Sequence, residues 1–85
     1  MRRLKRKPAK RVTATQFVVV LERCEEGGYF AECPSLPGCH VEAETYEDVM
    51  SEIRGAITAY VKDLRAAGEP IPTDEVSVTS ISVAV

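Results

Sequence analysis

Eighty-five residues hold one domain at most, and a chain this short buries only about 60% of the surface its unfolded form exposes, so its core is marginal. The formal net charge of −2 conceals an asymmetry, because seven of the 11 basic residues lie in the first 11 positions. Beyond Arg11, four basic side chains stand against 13 acidic ones, a net −9, so the body repels nucleic-acid phosphates and suits a basic partner.

Residues 1–15 have no apolar periodicity, one proline and a dense run of like charge, and are expected to form a disordered arm ahead of a single domain over 16–85. Gln16 to Arg23 is rich in β-branched residues and predicts a strand. Glu25-Glu26-Gly27-Gly28 is a turn signal, since glycine supplies the positive φ of tight hairpins, and Tyr29 to Cys33 is the return strand. A two-residue turn at Glu26-Gly27 would set Cys24 opposite Tyr29, and one at Gly27-Gly28 would set it opposite Ala31. Pro34 to Gly38 reads as a loop, because proline cannot donate to a sheet ladder. From Cys39 to Glu44 the residues alternate, with Cys39, Val41 and Ala43 on one face and His40, Glu42 and Glu44 on the other, so this is a half-buried third strand.

Thr45 suits a helix N-cap, with Glu47 and Asp48 well placed against the helix dipole. Val49, Met50, Ile53, Ile57, Tyr60, Val61 and Leu64 then draw one apolar stripe, and Gly68 stands where a left-handed stop belongs. Val76 to Val85 alternates small polar and β-branched residues, which predicts a fourth strand. Its apolar phase shifts from even positions (Val76, Val78) to odd ones (Ile81, Val83, Val85), as a bulge or pairing outside the subunit would require. The expected fold is α+β, in the order β-β-β-α-β, with one helix on a small mainly antiparallel sheet. One helix covers one sheet face, yet the first strand is apolar on both, so a second subunit or another partner is expected on the open side.

Three cysteines without an apolar leader segment point to a reducing compartment, and the longest apolar run, Phe17 to Leu21, is far short of the roughly 20 residues that span a bilayer. The expectation is a cytoplasmic protein with no membrane contact. Cys24, Cys33, Cys39 and His40 follow the spacing C-x8-C-x5-C-H, which matches no usual zinc pattern, and Cys39 and His40 point to opposite faces, so neither a metal site nor a cysteine nucleophile is expected. Glu22, Glu32, Glu42 and Glu44 could share a face and bind Mg²⁺, although outward strand glutamates are ordinarily a solvated or partner-facing surface. Gly27-Gly28 joins two strands and opens no helix, so it makes a turn and no phosphate cradle. Neither a cofactor nor catalysis is expected. In the arm, Arg2, Arg3, Lys5, Arg6, Lys7, Lys10 and Arg11 read as a solvated tail or as a salt-sensitive nucleic-acid contact. A membrane-surface role is weakened by the lack of an apolar face in the arm.

Residues 17–72 say more. The runs Phe17-Val-Val-Val-Leu-Glu22, Glu26-Gly-Gly-Tyr-Phe30 and Cys33-Pro-Ser-Leu-Pro-Gly-Cys39 are followed by Glu44-Thr-Tyr-Glu-Asp48 and Gly68-Glu-Pro-Ile-Pro72. In this order they resemble the HicB-like antitoxin family. That resemblance implies a truncated ribonuclease-H-like fold without nuclease activity, and a HicA-type partner, a small basic mRNA-cleaving toxin whose active surface is occluded. It also implies a homodimer or homotetramer. Many HicB proteins carry a C-terminal DNA-binding domain, which is not expected here because the sequence stops a strand's length past Pro72. An alternative is a nucleic-acid-binding regulator acting through the arm. The positions expected to meet a toxin are the outward Glu22, Glu32, Glu42 and Glu44 and the hairpin tip Glu25, Glu26 and Tyr29. Tyr60 is expected to pack within the helix stripe.

Overall fold

The computed structural model describes residues 15–72 and 78–85. Three strands, β1 (Val20–Arg23), β2 (Tyr29–Glu32) and β3 (His40–Ala43), precede one helix, α1 (Tyr46–Ala66). They form an antiparallel sheet in the order β1-β2-β3, an α+β fold with a small sheet and one helix.

The first hairpin corrects the expected register. Arg23 pairs with Tyr29 and Val20 with Glu32, so Cys24 faces neither Tyr29 nor Ala31. The N–H of Cys24 donates instead to the carbonyl of Gly28 at 3.0 Å, and that of Gly27 to the carbonyl of Cys24 at 3.1 Å, leaving a three-residue loop. A two-residue turn at Glu26-Gly27 would drive Glu26 into positive φ, where its Cβ meets the following carbonyl. The longer loop confines positive φ to Gly27 (101°) and Gly28 (85°).

The second hairpin closes through two overlapping turns, with N–H donation from Leu36 to the Cys33 carbonyl and from Cys39 to the Leu36 carbonyl, both at 3.0 Å. Pro37 followed by Gly38 at φ 83° is the type II pattern, proline fixing the first central φ and glycine permitting the second. The turns fold Leu36 into the core, where it is fully buried with Ala31, Cys33, Cys39, Val49 and Ile53. The Tyr60 hydroxyl donates to the Pro37 carbonyl at 3.0 Å and ties this loop to α1.

The helix begins and ends as its sequence predicts. Thr45 is the N-cap, its Oγ1 accepting from the Asp48 N–H at 3.0 Å. Beyond Ala67, Gly68 takes φ 71°, with N–H donation from Gly68 to the Arg65 carbonyl and from Glu69 to the Leu64 carbonyl, the two bonds of a Schellman stop. Of the apolar stripe, Val49 and Ile53 are buried and Met50, Ile57, Tyr60, Val61 and Leu64 half-buried. The helix packs on β3 and β2, to one side of β1.

The fourth strand is a correction. Val76 and Ser77 lie outside the described residues, and residues 78–85 carry no strand; each is exposed. Alternation makes a segment ready for a sheet, but it becomes a strand only where an edge supplies its hydrogen bonds, and in this chain residues 78–85 take no such place.

Candidate partner-binding face

Two registers with even sums place the same parity on one side of the sheet. Val20, Glu32 and His40 form one row across the strands, and Glu22, Phe30 and Glu42 the next. The intervening Leu21, Ala31 and Val41 turn toward the core. Five of the six outward side chains are exposed and Phe30 is half-buried. Phe30 and His40 stack with ring centroids 5.6 Å apart and planes tilted by 31°. Glu22 and Glu42 flank Phe30 on its two neighbouring strands and Glu32 lies diagonally from each, so an apolar centre of Phe30, His40 and Val20 is bordered by three carboxylates.

No lysine or arginine belongs to these two rows. Arg23, the one basic residue of the strands, places its guanidinium 5.8 Å from the ring centroid of Tyr29. Two strand spacings separate Glu22 from Glu42 by roughly 10 Å. That is about the screening length at physiological salt, so the three charges add to one negative field while water holds their repulsion to a small cost.

The other expected contact residues are elsewhere. Glu25 and Glu26 stand exposed at the tip of the β1–β2 hairpin. Tyr29 is half-buried, packed against the core and in edge contact with Tyr46 at 6.2 Å, away from the glutamate rows. Glu44 is exposed just ahead of the helix cap and, with Glu42, Cys24 and Gly28, lines a shallow hollow of about 280 Å³. Arg2, Arg3, Lys5, Arg6, Lys7, Lys10 and Arg11 lie outside the described residues. Sequence reasoning set His40 on the face of Glu42 but missed Phe30 and Val20 as parts of it. Their shared parity with Glu22, Glu32 and Glu42 was the available signal, hidden by the uncertain hairpin register.

Cys39 points into the core and His40 away from it. Cys33 continues the register opposite Cys39, its N–H donating to the Cys39 carbonyl at 2.9 Å. Burial pushes the Cys39 thiol above its ordinary pKa, and the neighbouring Cys33 adds to the rise, so the nucleophilic thiolate is disfavoured. Among the described residues, no group of three or more His, Cys, Asp or Glu side chains could hold a metal ion. The distinctive arrangement is thus an acidic surface with an aromatic centre.

A family model described as the HicB-like antitoxin of bacterial toxin-antitoxin systems matches residues 17–83. The chain belongs to the HicB-like antitoxin family. It is 38% identical to a UPF0150 protein of Synechocystis sp. over 69 residues, covering 81% of this chain and 87% of that relative. A UPF0150 protein of Thermoplasma acidophilum is 34% identical over 59 residues, covering 69% of this chain and 86% of its own length. One from Helicobacter pylori is 43% identical over 47 residues, covering 55% and 64% respectively. The HicB-like match takes in the sheet, the helix and the exposed segment as far as Val83. Among the described residues, no helix of this HicB-like chain is long and apolar enough to cross a membrane.

Proposed function

We propose that this protein is a non-catalytic, cytoplasmic antitoxin that neutralises a HicA-type mRNA-cleaving toxin by occupying the surface with which the toxin grips RNA. The observation that carries the reading is the outward sheet face, where Glu22, Glu32 and Glu42 surround Phe30 and His40. A ribonuclease that holds a phosphate backbone presents cations around its active surface, and carboxylates on a rigid sheet answer them. Phe30 and His40 add flat apolar area at the centre, where a partner can exclude water. Glu25, Glu26 and Glu44 extend the negative field toward the hairpin tip, and Tyr29 supports the β2 strand from its other face. Occlusion needs affinity and position only, and calls on no activated thiol, in keeping with a Cys39 whose burial raises its pKa.

The test is co-purification with a HicA-type toxin from the same genome, followed by RNA cleavage by that toxin with and without this protein. A stable complex and suppressed cleavage are expected. The triple variant E22Q/E32Q/E42Q should weaken the complex about tenfold or more, since each desolvated charge contact contributes on the order of 0.5–1 kcal/mol. Full neutralisation by that variant, with affinity unchanged, would remove the acidic face from the mechanism.

A further inference from the structure

Beyond Val78 and Thr79, which have the opposite phase, residues 80–85 are apolar in a directional way. Ile81, Val83 and Val85 share one parity and Ser80, Ser82 and Ala84 the other, so an extended chain here has an aliphatic side and a small, mostly polar side. Val78, Ile81 and Val83 are 77%, 81% and 72% exposed. The segment carries no lysine, arginine, aspartate or glutamate. The family match runs through to Val83, which makes the segment part of the domain.

The chain also holds a groove that fits such a strand. Among the described residues, α1 lies over β3 and β2 and leaves the flank of the helix beside the start of β1 uncovered. There Phe17, Ile57, Val61 and Ile71, all half-buried, line a groove of about 430 Å³ together with the cations Arg54, Lys62 and Arg65. Phe17, like Val19 and Leu21, packs against the core, so a strand added beside β1 would continue the apolar side of the sheet toward Ile57 and Val61.

We propose that residues 78–85 of one copy lie along β1 of a second copy, with Ile81, Val83 and Val85 in that copy's groove between Phe17 and Ile57, making a reciprocal strand-exchanged dimer. Three features select a second copy as the occupant. An uncharged aliphatic strand can bury its side chains against Phe17, Ile57, Val61 and Ile71 of the groove. Within one chain, residues 78–85 stand in solvent. And a two-fold exchange places both segments and fills both grooves at once, closing the assembly without an unpaired end. The aliphatic stems of Arg54 and Lys62 can cover the added strand while their charges stay in water.

The proposal is independent of the toxin, so its test contains none. Light scattering and native mass spectrometry on the full chain should give a dimer across a dilution series. The variant I81D/V83D, altered only at exposed positions, should be monomeric with an unchanged helical circular-dichroism signal. Copies carrying V83C should cross-link under mild oxidation to size-tagged copies carrying T58C, and a chain carrying both should cross-link between copies. A monomeric full chain, a dimer indifferent to I81D/V83D, or a cross-link closed within one copy would each overturn the exchange. So would a segment required for toxin binding in a chain that stays monomeric. The antitoxin reading survives any of these results, and the dimer survives failure of the toxin assay.

Discussion

A Cβ placed on Gly28 would stand 2.9 Å from the carbonyl oxygen of Ala43, a backbone atom that cannot swing aside. The same residue holds φ at 85°, where side chains are strained in any surroundings. Its neighbour Gly27 has φ of 101° but open space where a Cβ would project. The pair is therefore an internal control. Gly27→Ala should cost about 1 kcal/mol from backbone strain alone, and Gly28→Ala about 2 kcal/mol or more, because strand contact adds to the strain. Urea unfolding of the two variants measures the difference; equal losses would mean that the approach to Ala43 relaxes freely.

Among the elements, the Pro34–Gly38 loop is the best anchored. Its centre, Leu36, is a fully buried core residue, and α1 reaches it through the Tyr60 hydroxyl. Tyr60→Phe keeps the ring and removes that single bond. Since water can reach the site, the loss should fall near 0.5–1 kcal/mol, read by thermal or denaturant unfolding with the helical signal intact. The helix itself was legible in the sequence: cap, stripe and glycine stop all depend on neighbours within a turn or two. Strand existence was legible from alternation and β-branched content. The β1–β2 register was not, because Glu-Glu-Gly-Gly permits several loops, and the choice rests on which residues tolerate positive φ together. With that register went part of the face: Glu22, Glu32 and Glu42 were picked out and His40 was set beside Glu42, while Phe30 and Val20 were passed over. The fourth strand had the right pattern, but pattern states only that a segment can pair, and its partner is a tertiary fact outside the segment.

For the molecule as a whole, charge is divided by region, with a net −9 beyond Arg11. Field of this kind acts mainly on encounter. The association rate with a basic toxin should fall steeply as ionic strength rises, by tenfold or more between low and high salt, on the order expected for steered complexes, while dissociation changes less. Stopped-flow mixing at several salt concentrations measures it, and E22Q/E32Q/E42Q should flatten the slope. An association rate indifferent to salt would assign recognition to the apolar centre of the face.

The even-numbered side chains of the three strands meet water while their odd-numbered neighbours Leu21, Ala31 and Val41 turn to the core, so the two sets answer to different demands. A change at Glu22, Glu32, His40 or Glu42 alters what the surface offers without opening a cavity. In a lineage where a toxin drifts, its antitoxin can therefore follow by substitution on one side of a sheet only four residues deep, and keep folding while its allegiance changes.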